Sequence, residues 1–246
     1  VSDRTVPIAG TVNDGTGNDI DIQNTSSTLN ANWTDFSDAL SGIASYDWAI
    51  GTSSGGTEIL DWTNAGNTTS ANKSNLILIN DQTYYISVRV IDKAGNTSAV
   101  ATSDGIKTDF SSPSAPTDFV ATSNDGSITL QWTKNSELDI ANYKIYRSTQ
   151  AGFSLSSDSL IYSASATETQ YVDQQVVYGV THYYKMTATD LAGNEGTASS
   201  EVNGRSIDTT PPIVSISAPE NGNSFGTEDQ VTISWQASDN WQLSWA

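Results

Sequence analysis

The feature that most constrains this chain is a repeat of about 100 residues. Three tryptophans close the same alternating pattern of apolar residues, in the segments Leu29-x-Ala31-x-Trp33, Ile128-x-Leu130-x-Trp132 and Val231-x-Ile233-x-Trp235. Apolar residues at every second position are typical of a β-strand with one buried face. The repeated strand therefore predicts tandem copies of one unit, with each of these tryptophans in the core of its own copy.

Two further patterns recur at nearly the same spacing. The strand pattern Tyr46-x-Trp48-x-Ile50 is matched by Tyr143-x-Ile145, with Trp48 in the inward register. A turn of sequence Asp-x-Ala-Gly-Asn occupies residues 92–96 and again residues 190–194. Gly and Asn tolerate the positive φ angles of tight turns, so each segment predicts a turn that joins two strands.

The domain boundaries are marked by a repeated Asp-x-x-x-Pro motif. Proline fixes φ and donates no backbone hydrogen bond, so it suits a short stiff linker or the first residue of a strand. The motif predicts three domains, at residues 1–108, 109–207 and 208–246. The third segment is too short to bury a sandwich core alone, so we interpret it as an incomplete domain, finished by further chain or by another molecule.

The composition supports strands rather than helices. No stretch of the 246 residues shows helical spacing of apolar residues over three turns, and Ser, Thr, Asn and Gly are abundant. A unit of about 100 residues with many short strands is the expected size of a β-sandwich. We therefore predict an all-β fold of tandem β-sandwiches, the last one incomplete.

The repeats resemble tandem fibronectin type III domains. In the second unit the resemblance is carried by Pro116, Phe119, Ala121, Ile128, Leu130, Trp132, Tyr143, Ile145, Tyr184, Met186 and Ala188. In the first unit it is carried by Trp33, Tyr46, Leu78, Tyr84, Ile86, Val88 and Val90. The segment that begins at Pro212 is similar to the opening of bacterial immunoglobulin-like repeats of large surface proteins.

The resemblance also implies a tyrosine corner, in which a tyrosine hydroxyl bonds to backbone a few residues upstream. Tyr84 occupies that position in the first unit, and the aligned residue of the second unit is His182. The sequence leaves open whether the His182 imidazole makes the corner bond or the neighbouring Tyr183 replaces it.

The sequence lacks the residues and motifs that several classes of binding and catalysis require. The net charge of −18 repels phosphate backbones, and no apolar run of about 18 residues is present, so we expect neither nucleic-acid binding nor membrane insertion. Cysteine is absent, which excludes disulfides and thiolate catalysis, and His182 is the single histidine. Phosphate-loop, zinc-protease and nucleophile-elbow motifs are also absent. We therefore predict that the chain is not an enzyme and has no catalytic residues.

Calcium is the cofactor that the acidic turns favour most, because hard cations bind oxygen atoms of Asp, Asn and backbone carbonyls. The fibronectin-like resemblance implies that the N-terminal linker, the B–C loop and the F–G turn meet at one end of each sandwich. The carboxylates expected to hold calcium there are Asp3, Asp35, Asp38 and Asp92 in the first unit and Asp109, Asp139 and Asp190 in the second. The alternative is that each Asp caps its own turn.

A second acidic group lies in the Gly-rich loop after the first strand, at Asp14, Asn18, Asp19 and Asp21. It departs from the EF-hand pattern, because Asp19 stands where that loop needs glycine. We interpret this loop as a solvated turn.

Trp62 is the one tryptophan of the two complete units that the pattern places in a loop. An exposed indole stacks on sugar rings, which makes Trp62 the candidate ligand-binding residue; the alternative is a lid over the edge of the sandwich. Trp241 and Trp245 are expected to be exposed where their unit is incomplete.

The leading functional hypothesis is a non-catalytic spacer or adhesion stalk in a large, extracellular or cell-surface bacterial protein. Its expected partners are other domains of the same polypeptide, neighbouring chains and surface glycans. One alternative is an accessory linker or carbohydrate-binding region of a secreted polysaccharide-degrading enzyme. Another is a fibre subunit whose last unit is completed by strand addition from a neighbouring chain.

Overall fold

A computed structural model describes residues 3–218, 222, 224–227 and 230–239. These residues form strands and a single 3₁₀ turn, Ser157–Ser159. The strands of the first hundred residues are β1 (Thr11–Asp14), β2 (Ile22–Gln23), β3 (Leu29–Thr34), β4 (Ile43–Gly51), β5 (Leu60–Gly66), β6 (Ser70–Lys73), β7 (Thr83–Asp92), β8 (Ala101–Thr102) and β9 (Ile106–Thr108). The remaining strands are β10 (Thr117–Asn124), β11 (Ser127–Thr133), β12 (Ile140–Ser148), β13 (Leu160–Ser165), β14 (Gln170–Asp173), β15 (Thr181–Asp190), β16 (Val202–Arg205), β17 (Ile213–Ala218) and β18 (Ser234–Ser238). None of the described segments is a helix long and apolar enough to cross a membrane.

The first sandwich packs two sheets around an aromatic core. One sheet has the strand order β1-β3-β6, and the other has the order β2-β9-β7-β4-β5 with β8 added to β7. Burial alternates along β3, as its sequence pattern predicts. The core residues contributed by both sheets include Val12, Leu29, Trp33, Tyr46, Trp48, Ile50, Tyr84, Ile86, Val88 and Val90.

The second sandwich repeats this plan. Its sheets have the strand orders β10-β11-β14 and β13-β12-β15-β16. The buried residues include the ones that carry the family resemblance: Phe119, Ile128, Leu130, Trp132, Tyr143, Ile145, Tyr184, Met186 and Ala188. The prediction of tandem all-β sandwiches is thus confirmed for these two units.

The chain divides into two compact units. The first contains Val1–Ser114, Ser136–Asn142 and Ala188–Thr197, and the second contains Ala115–Asn135, Tyr143–Thr187 and Ala198–Ala246. The domain boundaries at residues 108 and 207 stay a prediction.

The same aromatic pair lies in the core of each sandwich. The ring centroids of Trp33 and Tyr46 are 5.6 Å apart, and those of Trp132 and Tyr143 are 5.8 Å apart. Both pairs are tilted, a favourable arrangement for aromatic rings. The repeat seen in the sequence is therefore a repeat of core packing.

The third segment contributes a two-stranded antiparallel hairpin, β17 and β18, in which Ile216 pairs with Trp235. Its strands are mostly exposed, and Trp235 is 47% exposed. The prediction that Trp235 lies in a core is wrong within the described part of this segment, because two strands provide no second sheet to cover the ring. Trp241 and Trp245 lie outside the described residues.

The corner positions of the two sandwiches use different side chains. The Tyr84 hydroxyl accepts a hydrogen bond from the backbone N–H of Ile79, at 2.9 Å. In the second sandwich His182 is buried and bonds through Nδ1 to the carbonyl of Val180, at 3.1 Å. Burial lowers the pKa of His182, so the neutral ring donates to this carbonyl. His182, rather than Tyr183, makes the local backbone bond.

A buried ionic network ties the two sheets of the second sandwich together. Asp173, at the end of β14, is 1% exposed, and both of its carboxylate oxygens accept from Arg147 Nη1 on β12, at 2.9 and 2.8 Å. The Tyr184 hydroxyl on β15 donates to the same carboxylate at 2.9 Å. Burial and the neighbouring Asp173 charge raise the pKa of Tyr184, which keeps its proton on the phenol.

We predict that Arg147→Met lowers the free energy of unfolding of the second sandwich by about 3–5 kcal/mol, because it leaves the Asp173 carboxylate buried without a counter-charge. The matched control is Arg89→Met. Arg89 pairs with Asp47 at 3.1 Å, and their side chains are 33% and 13% exposed. Because Asn64 Nδ2 also donates to Asp47, and because this pair is more exposed than Arg147–Asp173, the expected loss is smaller, about 1–2 kcal/mol. Urea unfolding of both variants checks this, and equal losses would contradict it.

Candidate functional site

Three of the four predicted carboxylates of the first unit meet at one end of the sandwich. Asp3 lies in the linker before β1, Asp38 in the loop between β3 and β4, and Asp92 at the end of β7. One carboxylate oxygen of each lies within 4.8 Å of the other two. Asp35 is not part of this group; it has a φ of 63° and accepts a bond from Thr34 Oγ1. A cavity of about 660 Å³ borders the cluster.

Backbone donors satisfy much of this cluster. Asp38 Oδ1 accepts from the N–H groups of Ser41 and Gly42, each at 2.7 Å. The backbone hydrogen bond from Thr5 lowers the pKa of Asp3. Burial raises the pKa of Asp92, but its hydrogen bonds from the turn outweigh this effect and lower it overall. Asp3, Asp38 and Asp92 thus each accept hydrogen bonds from a nearby turn or loop, although Asp38 Oδ2 is buried without a hydrogen-bond partner. Calcium binding by Asp3, Asp35, Asp38 and Asp92 stays a prediction.

The corresponding segments of the second sandwich also meet, but through backbone and amide groups. Asn194 Nδ2 donates to the carbonyl of Asp109 at 2.9 Å, and the N–H of Leu191 donates to the carbonyl of Asp139 at 2.8 Å. Asp190 accepts from Asn194 at both carboxylate oxygens. Within the described part of the chain, the carboxylates of Asp109, Asp139 and Asp190 form no close group of oxygens. Calcium binding there also stays a prediction.

A second carboxylate cluster lies at Asp14, Asp19 and Asp104, where one oxygen of each residue is within 4.8 Å of the other two. Asp14 ends β1, Asp19 follows in the adjacent loop, and Asp104 lies in the loop between β8 and β9. Sequence reasoning grouped Asp14 and Asp19 with Asn18 and Asp21, and it missed Asp104. No local spacing signals Asp104, because the sheet brings together segments that are about 90 residues apart.

Asp14 is the unusual member of this cluster. It is fully buried, and its Oδ1 atom has no hydrogen-bond partner. Its Oδ2 atom accepts from the N–H of Gly105 at 3.2 Å. Burial, together with the charges of Asp19 and Asp104, raises the pKa of Asp14 to about 7, although hydrogen bonds from Ser103 and Gly105 oppose this shift. An ionised carboxylate in this setting destabilises the folded state unless a counter-charge or hydrogen bonds compensate for its burial.

Trp62 lies on strand β5 rather than in the predicted loop. The Arg89 guanidinium carbon is 4.3 Å from the centroid of its ring, and Arg89 also bonds to Asp47 on β4. One face of the half-exposed indole is therefore engaged in a cation–π contact within the sandwich. Sugar binding by Trp62 stays a prediction.

The sequence comparisons point to polysaccharide-degrading enzymes. Exoglucanase B of Cellulomonas fimi is 26% identical over 187 residues, which are 72% of this chain and 16% of that enzyme. Chitinase A1 of Niallia circulans is 28% identical over 141 residues, 54% of this chain and 19% of the enzyme. Amylopullulanase of Thermoanaerobacter thermohydrosulfuricus is 35% identical over 94 residues, 38% of this chain and 6% of the enzyme. The chain thus spans less than a fifth of each relative. No protein-family model matches the sequence.

The structure comparisons decide the fold. The FN1–FN3 domains of chicken CNTN1 superpose with a TM-score of 0.51 at 15% identity, over 81% of this chain and 68% of that one. The fibronectin(III)-like modules of Clostridium thermocellum CbhA give a TM-score of 0.51 at 13% identity, over 80% of this chain and 95% of that one. The two sandwiches have the fibronectin type III fold. The resemblance inferred from the repeated strand residues is therefore confirmed at the level of the fold.

In the first fibronectin type III sandwich, we predict that the buried Asp14 carboxylate lowers the free energy of unfolding in a pH-dependent way. Because its folded pKa is raised above the unfolded value, the folded state holds the proton more tightly, and stability falls as pH rises from about 4 to about 7. In the presence of EDTA, the free energy of unfolding of Asp14→Asn should increase relative to that of the parent protein by about 2 kcal/mol as the pH rises from 5 to 8.

Urea unfolding at each pH measures this difference. Asp61→Asn, which removes an exposed negative charge, controls for the change in net charge. If Asp14→Asn and the parent protein show the same pH dependence, the buried carboxylate does not carry this penalty.

Proposed function

We propose that this chain is a non-catalytic spacer region of a larger, extracellular protein that degrades polysaccharide. The observation that carries the proposal is the combination of two fibronectin type III sandwiches with matches to an exoglucanase, a chitinase and an amylopullulanase. The chain corresponds to a small part of each relative. On this proposal, the other domains of the protein supply catalysis, and these domains are the partners of the chain.

The contacts of the linker support a stiff spacer. The N–H of Asp109 donates to the carbonyl of Gln23 at 2.9 Å, and the carbonyl of Asp109 accepts from Asn194 Nδ2 at 2.9 Å. Phe110 packs against the core of the first sandwich. A linker that is hydrogen-bonded at both backbone groups of Asp109 and packed at Phe110 has little of the freedom of a Gly/Ser tether.

The N-terminal linker is held in the same way. Asn96, which corresponds to Asn194 in the repeat, donates through Nδ2 to the carbonyls of Asp3 and Thr5, at 3.4 and 3.2 Å. In both repeats, the Asn of the Asp-x-Ala-Gly-Asn turn therefore hydrogen-bonds to the backbone of the Asp-x-x-x-Pro linker that precedes its sandwich. This device suits a chain whose task is to hold other modules apart.

Two other roles receive less support. A surface adhesion stalk also needs stiff repeats, but the sequence relatives favour the context of a polysaccharide-degrading enzyme. Direct carbohydrate binding would use Trp62, whose ring already contacts Arg89 on one face. We therefore assign the chain to spacing rather than to recognition.

The proposal predicts that the purified chain neither binds nor hydrolyses insoluble cellulose, chitin or starch. Co-sedimentation should leave it in the supernatant, and reducing-sugar release should equal that of a buffer control. If the chain is retained on one of these polymers and Trp62→Ala abolishes that retention, the chain is a carbohydrate-binding module rather than a spacer. Sugar release by the chain would overturn the non-catalytic assignment.

We predict that Asn194→Ala speeds chymotrypsin cleavage after Phe110 about fivefold, because losing a hydrogen bond of about 1 kcal/mol raises the population of the open linker by that factor. Asn96→Ala is the matched control, since it frees residues 3–5 and leaves residues 109–114 bonded. Limited proteolysis followed by mass spectrometry measures both rates. Equal rates for the two variants would show that Asn194 does not fasten the linker.

A further inference from the structure

We propose that Asp14, Asp19 and Asp104 form a binding site for one calcium ion in the first sandwich. The observation that singles them out is the Oδ1 atom of Asp14, a fully buried carboxylate oxygen with no hydrogen-bond partner. Asp14 ends strand β1, and Asp19 and Asp104, both exposed residues, approach it from two loops. Three converging carboxylates repel one another unless a cation lies among them.

The ligand chemistry favours calcium. All three donors are carboxylate oxygens, which hard cations prefer, and histidine and cysteine are absent from the cluster. Oxygens bound to one Ca²⁺ at about 2.3–2.6 Å are separated by up to about 5 Å, which fits a group whose atoms lie within 4.8 Å of one another. Mg²⁺ requires shorter, octahedral bonds and retains water, so it should bind more weakly.

The loop that carries Asp104 is held in place before any ion binds. Gly105 has a φ of 108°, and a Cβ atom there would lie 2.8 Å from side-chain atoms of Thr83 and Tyr85. Its N–H donates to Asp14 Oδ2. The tight packing therefore fixes the residue next to Asp104 and links this loop directly to the buried carboxylate.

The loop that carries Asp19 is fixed as well. The Asp14 N–H donates to Asp19 Oδ1 at 2.7 Å, so both residues stay adjacent through their own bond. Asn32 on β3 donates through Nδ2 to the carbonyls of Gly15 and Gly17, at 3.1 and 2.9 Å. A preorganised set of ligands loses less conformational entropy on binding.

This cluster differs from the other acidic group of the same sandwich. Asp92 is buried like Asp14, but its oxygens accept from Ala94 and Asn96. Asp3 accepts from Thr5 and Ser41. Backbone and amide donors thus already serve Asp3 and Asp92. Asp38 Oδ2 also lacks a hydrogen-bond partner, but Asp38 as a whole is only half-buried, whereas Asp14 combines full burial with an oxygen that has no partner.

The first test is calcium titration of the whole chain at pH 8, after removal of metal with EDTA. Isothermal calorimetry should show one site with a Kd of about 10⁻⁴ M, and the first sandwich should unfold at a higher temperature in 10 mM CaCl₂ than in EDTA. MgCl₂ should give a smaller shift. If calcium gives neither heat nor a thermal shift in the parent protein, the proposal is overturned.

Variants then locate the site. Asp14→Asn and Asp104→Asn should each weaken calcium binding about tenfold or more, and Asp3→Asn, the control in the other acidic cluster, should leave it unchanged. Asp14→Asn should also be more stable than the parent protein in EDTA and less stable in calcium, a reversal that a purely structural role does not produce. Calcium binding that survives Asp14→Asn and Asp104→Asn but is lost in Asp3→Asn would overturn the assignment.

Discussion

The packing of one tryptophan between two sheets is the constraint on which each sandwich depends. Trp33 on β3 and Trp132 on β11 are almost fully buried, and each packs on a tyrosine of the opposite sheet, Tyr46 or Tyr143. A buried indole contributes more apolar area than any other side chain, so the strands that flank it must keep their alternation in register. The hairpin at β17 and β18 shows the converse: Trp235 has the same sequence frame, no second sheet covers it among the residues that the structure describes, and it is 47% exposed.

Around these cores the structure satisfies buried carboxylates in three ways. Asp173 receives a counter-charge from Arg147 and a phenol hydrogen bond. Asp92 and Asp190 receive hydrogen bonds from their own turns. Asp14 receives a backbone bond to Oδ2 from Gly105 and a favourable interaction with the Ser103 side chain, and its Oδ1 atom keeps no hydrogen-bond partner. Since burial of an unpaired charge is expensive, the third arrangement is the one that stability alone does not explain.

The repeated turn restrains the linker that precedes each sandwich. Asn96 and Asn194 each bond to the linker that precedes their own sandwich, so the linker is part of the folded structure. A fibronectin type III sandwich by itself implies no function. Here the bonded linkers and the polysaccharide-degrading relatives together support the proposed spacer role.

The sequence by itself determined the fold class, the core tryptophans and tyrosines of two units, and the turns at residues 92–96 and 190–194. These features follow from period-two burial and from turn chemistry, which act between neighbouring residues and so leave a local signal. Tertiary structure alone decided which carboxylates meet. It joined Asp104 to Asp14, left Asp35 apart, and placed Trp62 on a strand beside Arg89. Such contacts depend on strand order and loop geometry between distant segments, which the spacing of residues along the chain does not encode.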